Sequence, residues 1–219
     1  VLKSGKTTAG TRAVSGHTAS LAGDYGVFSQ IMAQYGVVEA ADGSELIAIC
    51  EALNAYNQRI EGKVAILTVS GGHGALATDA CAAKGLTVPV LSEETQKTIR
   101  ERFSESIRFI ASTVNPIDLT GSAGDADCVE TVKMLNRCSD IDSILLLLLP
   151  YSPGISLDLG ARLSQLYQEE DAKPLAAYVP HEPKYAMLVE GFELNRIPVA
   201  SSIEDAVLML DALRRYRSC

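Results

Sequence analysis

Histidine occurs three times in this chain, at positions 17, 73 and 181, and the first two sit among residues too small to cover an imidazole. His17 lies in the run Ser15-Gly16-His17-Thr18-Ala19-Ser20-Leu21-Ala22-Gly23. Small side chains let the backbone come close to a ligand and let a loop move. An imidazole is a good nucleophile near neutral pH and can accept a phosphoryl group. The same composition also describes an ordinary solvated loop histidine, and the run by itself leaves both readings open.

His73 lies in Ser70-Gly71-Gly72-His73-Gly74-Ala75-Leu76, directly after the β-branched apolar run Val64 to Val69. A helix that opens there has unpaired amide groups and a positive dipole end, which together hold a phosphate without any basic side chain. A strand followed by two glycines and a helix is also a common packing turn. His73 then either caps the helix or sits near the anion, and capping is the simpler reading. A third group is Asn115-Pro116-Ile117-Asp118-Leu119-Thr120-Gly121. Asn-Pro marks a turn, and Asp118 and Thr120 at a strand end can cap the loop that follows. His181, within Val179-Pro180-His181-Glu182-Pro183, reads as a solvated or partner-facing loop residue. Lys3 and Lys6 precede His17 and could neutralise a phosphate, although surface lysines are the common case. Arg214, Arg215 and Arg217 suit the negative end of a last helix and carry no assigned function.

These groups need elements to position them. Apolar periodicity gives strands at 64–69, 86–91, 141–149, 174–179 and 197–200, with a broken extended piece over 109–119. Helical patterns fall between them at 74–84, 93–103, 127–136, 157–168, 183–194 and 203–216. This alternation predicts an α/β fold, a flavodoxin-like doubly wound parallel sheet over residues 61–219. Such sheets bind ligands at the carboxyl ends of their strands. The loops to watch are therefore 70–74, 115–124, 150–154 and 180–183. Residues 1–60 form a different unit: a strand stub at 1–3, a long loop over 4–23, a helix over 27–35, a short strand at 37–39 and a helix over 44–56. That is about half of a second α/β domain, and half a sheet cannot cover both of its faces. Its remaining strands are expected upstream or from a partner, with the boundary near 57–62.

Composition narrows the classes. The chain has 219 residues, 47% of them apolar and 21% charged, so it can bury real cores and is not disordered. Its 19 Lys and Arg against 27 Asp and Glu give a net charge of -8, without the basic stripe of a nucleic-acid binder. The longest apolar run, Ile144 to Leu149, suits a buried strand and is far too short to span a bilayer. No signal peptide is visible, and no His or Cys pair has metal-ligand spacing. The five cysteines, an odd number, read as free thiols of a cytoplasmic protein. A start at Val1 and an end at Cys219 lead to the expectation of a fragment or a processed piece.

Val1-Leu2-Lys3-Ser4-Gly5-Lys6, then Ala9-Gly10, Ala13 and Ser15 through Gly23, is similar to the signature VLKxGxSxxGxxAxxSHTGxLAG of ADP-forming acyl-CoA synthetases, relatives of succinyl-CoA synthetase. Gly16 replaces the usual Ser, as in the GHAG stretch of succinyl-CoA synthetase, and Ala19 replaces a usual Gly. The resemblance makes His17 the residue phosphorylated during turnover. It matches Ser70 to Leu76 to an NxGGxG turn whose helix start faces the phosphohistidine. That implies phosphate-holding roles for Gly71, Gly72, His73, Gly74 and Ala75. It also matches 115–121 to an NPxDLTG stretch that shapes the receiving site, through Asn115, Asp118, Thr120 and Gly121. Residues 1–60 then correspond to the C-terminal part of a first flavodoxin-like domain and 61–219 to a second. The implied activity interconverts acyl-CoA, ADP and phosphate with acid, CoA and ATP. The implied ligands, CoA and ATP or ADP with Mg2+, belong to the complete enzyme, with none bound tightly by this segment and no metal held by it. The implied partners are a CoA-binding Rossmann domain and an ATP-grasp domain, in the same chain or a partner subunit. A small acyl substrate and an oligomeric assembly complete the expectation. Two competitors remain: a non-catalytic flavodoxin-like binding or assembly module with an idle His17, and a regulatory domain associated with an acyltransferase.

Overall fold

Two runs of consecutive apolar residues form the centre of the molecule. In the computed structural model, β1 (Val64–Thr68) and β3 (Ser143–Leu147) are buried along their whole length. The structure describes residues 1–18, 23–149, 152–168, 172–180 and 182–216, with the side chains of residues 17, 18 and 168 outside that set. β1 is flanked by β3 on one side and by the two-residue β2 (Ile117–Asp118) on the other. β4 (Leu175–Tyr178) and β5 (Val199–Ala200) extend the sheet beyond β3. All neighbours are parallel and the strand order is 2-1-3-4-5, the flavodoxin order.

Alternate residues of the strands feed two cores. Ala65, Leu67, Ile144, Leu146 and Ala177 face one layer made by α5 (Glu93–Arg102), α6 (Asp125–Asn136), α7 (Leu159–Ser164) and α8 (Ala186–Glu193). Val64, Ile66, Leu145, Leu147 and Ala176 face α3 (Gly43–Ala55), α4 (Gly71–Ala83) and α9 (Ile203–Arg215). Helix ends follow their capping residues. Asp42 accepts the Glu45 amide at 3.0 Å, Ser92 accepts that of Thr95 at 3.2 Å, and Ser202 accepts that of Asp205 at 3.0 Å. Asp127 folds back onto the Gly124 amide at 3.0 Å to start α6.

The fold corrects the sequence reading at three places. Residues 86–91 are not the second strand: only Thr87 bridges the sheet, pairing with Lys63. Pro89 cannot donate to a ladder, and Val90 is exposed. The sheet position is taken instead by β2. The supposed loop over 4–23 contains α1 (Thr8–Thr18), so His17 stands on a helix. Its start is fastened locally, with Gly10 donating to Thr7 Oγ1 and Thr11 Oγ1 to the Gly5 carbonyl, both at 3.1 Å. Finally, α4 begins at Gly71 rather than Gly74.

Val38 and Ala40 are buried in the core of α3 and α9, and the residues ahead of them attach by few ties among the described residues. Leu2 and Ala40 form a parallel bridge, the Val1 nitrogen donates to the Val38 carbonyl at 2.8 Å, and the Ala40 N–H donates to the Val1 carbonyl at 2.8 Å. α2 (Tyr25–Gln34) buries none of its residues and leaves Val27, Ile31 and the adjacent Tyr35 exposed. α3 behaves differently: Ala48, Ile49 and Ala52 are buried in the core shared with α9. Of the described cysteines, Cys81, Cys128 and Cys138 are buried and Cys50 is exposed, all free, and burial pushes the Cys81 thiol up to about 12.

Candidate functional site

The carboxyl end of β1 is built to release a helix with bare amides. Thr68 Oγ1 accepts the Ser70 N–H at 3.0 Å and donates to the Ser70 carbonyl at 2.9 Å, which closes the turn after the strand. Ser70 is the N-cap residue, yet its side chain makes no cap bond. The Gly74 N–H donates to the Ser70 carbonyl at 3.1 Å. The amides of Gly71, Gly72 and His73 therefore have no partner among the described residues. They converge at the positive end of a helix of 13 residues. A methyl group at Gly72 would meet nothing within 4 Å, so the approach is open.

This refines the set of phosphate-holding residues. Gly74 is not a donor, because its amide is spent within the turn, and Ala75 lies one position deeper in the same helical ladder. Gly74 contributes by being small: a Cβ there would stand 3.2 Å from Thr68 Cγ2 and 3.3 Å from Pro116 Cβ. His73, the third residue of α4, makes no capping bond either. Its Nδ1 is buried without a hydrogen-bond partner, and its ring meets that of Tyr178 edge-on at 5.5 Å. Burial, helped by the charge of Glu204, pushes the Tyr178 hydroxyl above its ordinary range and keeps it protonated. Tyr178 and Thr68 were missed as site residues; their positions at the carboxyl ends of two predicted strands were the available signal.

The segment 115–121 packs beside this turn, with two distinct jobs. Asn115 is only 6% exposed and faces the sheet rather than a ligand. Its Oδ1 accepts the Ile66 amide at 2.8 Å, and its Nδ2 donates to the carbonyls of Val64 at 2.8 Å and Pro89 at 3.0 Å. A side-chain amide thus replaces the strand missing at 86–91, a correction to its expected site-shaping role. Asp118 does reach the turn. Its Oδ1 accepts the Thr120 amide at 2.9 Å, while its Oδ2 would lie 2.9 Å from a Cβ on Gly71. Thr120 adopts φ 66°, a left-handed conformation costly for a β-branched residue. Its carbonyl accepts the Ala123 amide at 3.2 Å, and Gly121 is exposed with open space around it.

The structure brings together Gly71–Gly74, Pro116 and Asp118, and it places His73 against Tyr178. The side chain of His17 lies outside the described residues, as does all of His181. Lys6 is already engaged: its Nζ lies 3.4 Å from Glu39 Oε1 and donates to the Ala40 carbonyl at 3.2 Å. Lys3 donates to the Ser4 carbonyl at 2.8 Å. Among the described residues no three His, Cys, Asp or Glu side chains converge as a metal site, and no helix is long and apolar enough to cross a membrane.

Residues 1–53 match the family model described as the succinyl-CoA ligase like flavodoxin domain. ADP-forming acetate–CoA ligase I of Archaeoglobus fulgidus is 35% identical over 150 residues, covering 68% of this chain and 21% of the relative. The alpha subunit of ADP-forming acetate–CoA ligase II of Pyrococcus furiosus is 29% identical, covering 97% of this chain and 46% of the subunit. Among solved structures, acetyl-coenzyme A synthetase 1 of Ca. Korarchaeum cryptofilum, in complex with phosphate and ADP, shares the fold with a TM-score of 0.86 at 24% identity. That match covers 99% of this chain and 46% of the other. The chain thus spans from about a fifth to about half of the length of these curated relatives.

Proposed function

The chain belongs to the ADP-forming acyl-CoA synthetase superfamily, and from that premise we propose that it is the central segment of an acid–thiol ligase working through a phosphohistidine at His17. In the complete enzyme, phosphate oxygen attacks the thioester carbonyl of an acyl-CoA, and CoA leaves as the thiol. The imidazole of His17 then attacks the phosphorus of the acyl phosphate and releases the free acid. ADP takes the phosphoryl group from His17 and becomes ATP. The reverse sequence makes acyl-CoA from acid, CoA and ATP.

The observation that carries this reading is the open start of α4, where the amides of Gly71, Gly72 and His73 are unpaired. Fixed amide dipoles stabilise a charged phosphoryl group without reorganising during transfer. No basic side chain is needed, which suits a site that must release its phosphate again. Asp118, beside Gly71, is a positioning residue: its Oδ2 would accept the N–H of an arriving imidazole. His17 sits near the end of α1, ahead of a helix, α2, that buries none of its residues. CoA binding and the Mg2+-bound nucleotide belong to a CoA-binding Rossmann domain and an ATP-grasp domain outside this segment. The assembly is a cytoplasmic oligomer.

The test uses the full-length protein and ATP labelled at the γ position. An acid-labile, base-stable phosphate on His17, lost in His17→Asn with the melting temperature unchanged, is the expected outcome. Labelling that survives in His17→Asn refutes the role of His17.

A further inference from the structure

β5 is the last strand of the sheet, and its outer side pairs with no strand among the described residues. The carbonyls of Pro198 and Ala200 accept the amides of Ala177 and Val179 at 2.9 and 3.0 Å, so they face β4. In a parallel ladder the residue between them turns its N–H and C=O outward. Those two groups of Val199 have no partner among the described residues, and Val199 is only half-buried. An open edge of this kind is a template for an added strand.

The edge lies in a trough between two helices. A cavity of about 310 Å3 runs along Ile197, Pro198 and Val199, walled by Glu51 and Asn54 of α3 and by Glu193 at the end of α8. A second cavity, of about 560 Å3, shares Glu193 and Val199 with the first and continues past Val189 and Glu190 of α8 to Ser201. The walls are acidic: Glu51, Glu190 and Glu193 line this stretch, and Arg196 is the one basic side chain among the described residues of both cavities. Burial, and after it the charge of Glu193, pushes the Glu51 carboxyl above its ordinary range. Carboxylates that repel each other across a trough favour a cation between them. A second copy of this chain would bring the same charges to the edge, which disfavours self-pairing.

We infer that this trough docks an extended segment of a partner chain as a sixth strand, with lysine or arginine on the face toward Glu51 and Glu193 and apolar residues at the alternate positions. The alternation follows from strand geometry, because side chains two residues apart share a face. One face meets Glu51 and Asn54 on α3, and the other meets Val189 on α8. Backbone bonds to Val199 supply affinity, and the carboxylates select the sequence. The site lies at the opposite edge of the sheet from β2 and stands or falls independently of His17.

The probe is a fluorescently labelled acetyl-Lys-Val-Lys-Val-Lys-Val-amide, titrated into the full-length protein and read by anisotropy. It is expected to bind with Kd below about 100 μM, at least about tenfold more tightly than its Glu-Val counterpart, and to slow hydrogen exchange at the Val199 N–H. N-methylation at alternate residues of the peptide removes strand donors and keeps the charge, and is expected to weaken binding at least about tenfold. Glu51→Gln combined with Glu193→Gln removes the charges and keeps the shape, and is expected to weaken binding as much without lowering the melting temperature. Equal binding by the methylated peptide reduces the site to surface electrostatics and overturns the proposal. So do undiminished binding by the double variant and no binding of the lysine peptide. In the last case, a Val199 amide already protected in the full-length protein would assign the edge to a segment of its own chain.

Discussion

The receiving turn and the histidine it is proposed to receive sit on parts of the molecule held together very differently. The turn at 70–75 grows from a strand buried on both faces and is wedged by Thr68, Pro116 and Asp118. Among the described residues, the segment bearing His17 is joined through the Leu2–Ala40 bridge with the backbone hydrogen bonds of Val1 beside it, and through Lys6. A group that carries phosphate between stations must leave each of them, so tight packing around it would be a handicap. A docking surface made of amides works only if those amides do not move. The division of labour is therefore readable as a difference in burial.

The comparison is broken most severely from the rigid side. Asn115→Ala removes three hydrogen bonds and strands the Ile66 amide and the Val64 carbonyl inside the sheet. Each such orphan costs about 1–3 kcal/mol, so a loss of about 3 kcal/mol is expected in urea unfolding. A loss under about 1 kcal/mol would show that water replaces the amide there. Gly160→Ala is the next largest. Its methyl would sit 2.7 Å from the backbone of Gly191, forcing α7 and α8 apart at a cost of about 2 kcal/mol.

These two positions also show where the sequence was legible. β1, β3 and β4 are apolar on both faces and stand out from any neighbour, so the doubly wound sheet was readable from Val64 to Ala200. The second strand was not. Residues 86–91 have the apolar content of a strand, but Pro89 breaks their ladder and an asparagine side chain from 115 completes the edge instead. Nothing local in Asn-Pro announces a partner 49 residues away. The same limit applies to the site. Gly71 and Gly72 stood out as small residues after a strand, whereas the spending of the Gly74 amide depends on where the helix starts, a boundary that periodicity leaves loose. Residues 8–18 read as a loop because Gly, Ser and Thr dominate, and α1 forms over them nonetheless.

Within the turn itself, two adjacent glycines sharpen the contrast. Gly71→Ala pushes a methyl to 2.9 Å from Asp118 Oδ2, and the carboxylate must swing away from its bond to Thr120. A loss of about 1 kcal/mol is expected, together with slower phosphoryl transfer in the full-length enzyme. Gly72→Ala meets nothing, and by helix propensity should stabilise by about 0.5 kcal/mol. Its methyl nevertheless stands over the open amides, so transfer should fall while stability rises. Equal transfer rates in Gly72→Ala and the wild type would remove the anion from this turn.

The smallest effect belongs to the carrier side and is read by pH. Burial alone would raise the pKa of Glu39, but hydrogen bonds from Ser29, Tyr25 and Lys6 outweigh it and hold the carboxyl below its ordinary value. A depressed carboxyl pKa adds stability that is complete above the unfolded value, about 4.3, and fades as pH falls through the folded value. Acidification below about pH 4 should therefore loosen the tie between the first residues and Ala40. The check is amide exchange, corrected for intrinsic rate: protection of the Ala40 N–H, bonded to the Val1 carbonyl at 2.8 Å, should drop while that of Leu119, bonded to Thr68, persists. Lys6→Ala at neutral pH should reproduce the loss at Ala40 by less than about 1 kcal/mol, as a partly exposed ion pair allows. If both amides lose protection together on acidification, the two regions unfold as one cooperative unit, and the carrier is no more loosely held than the dock.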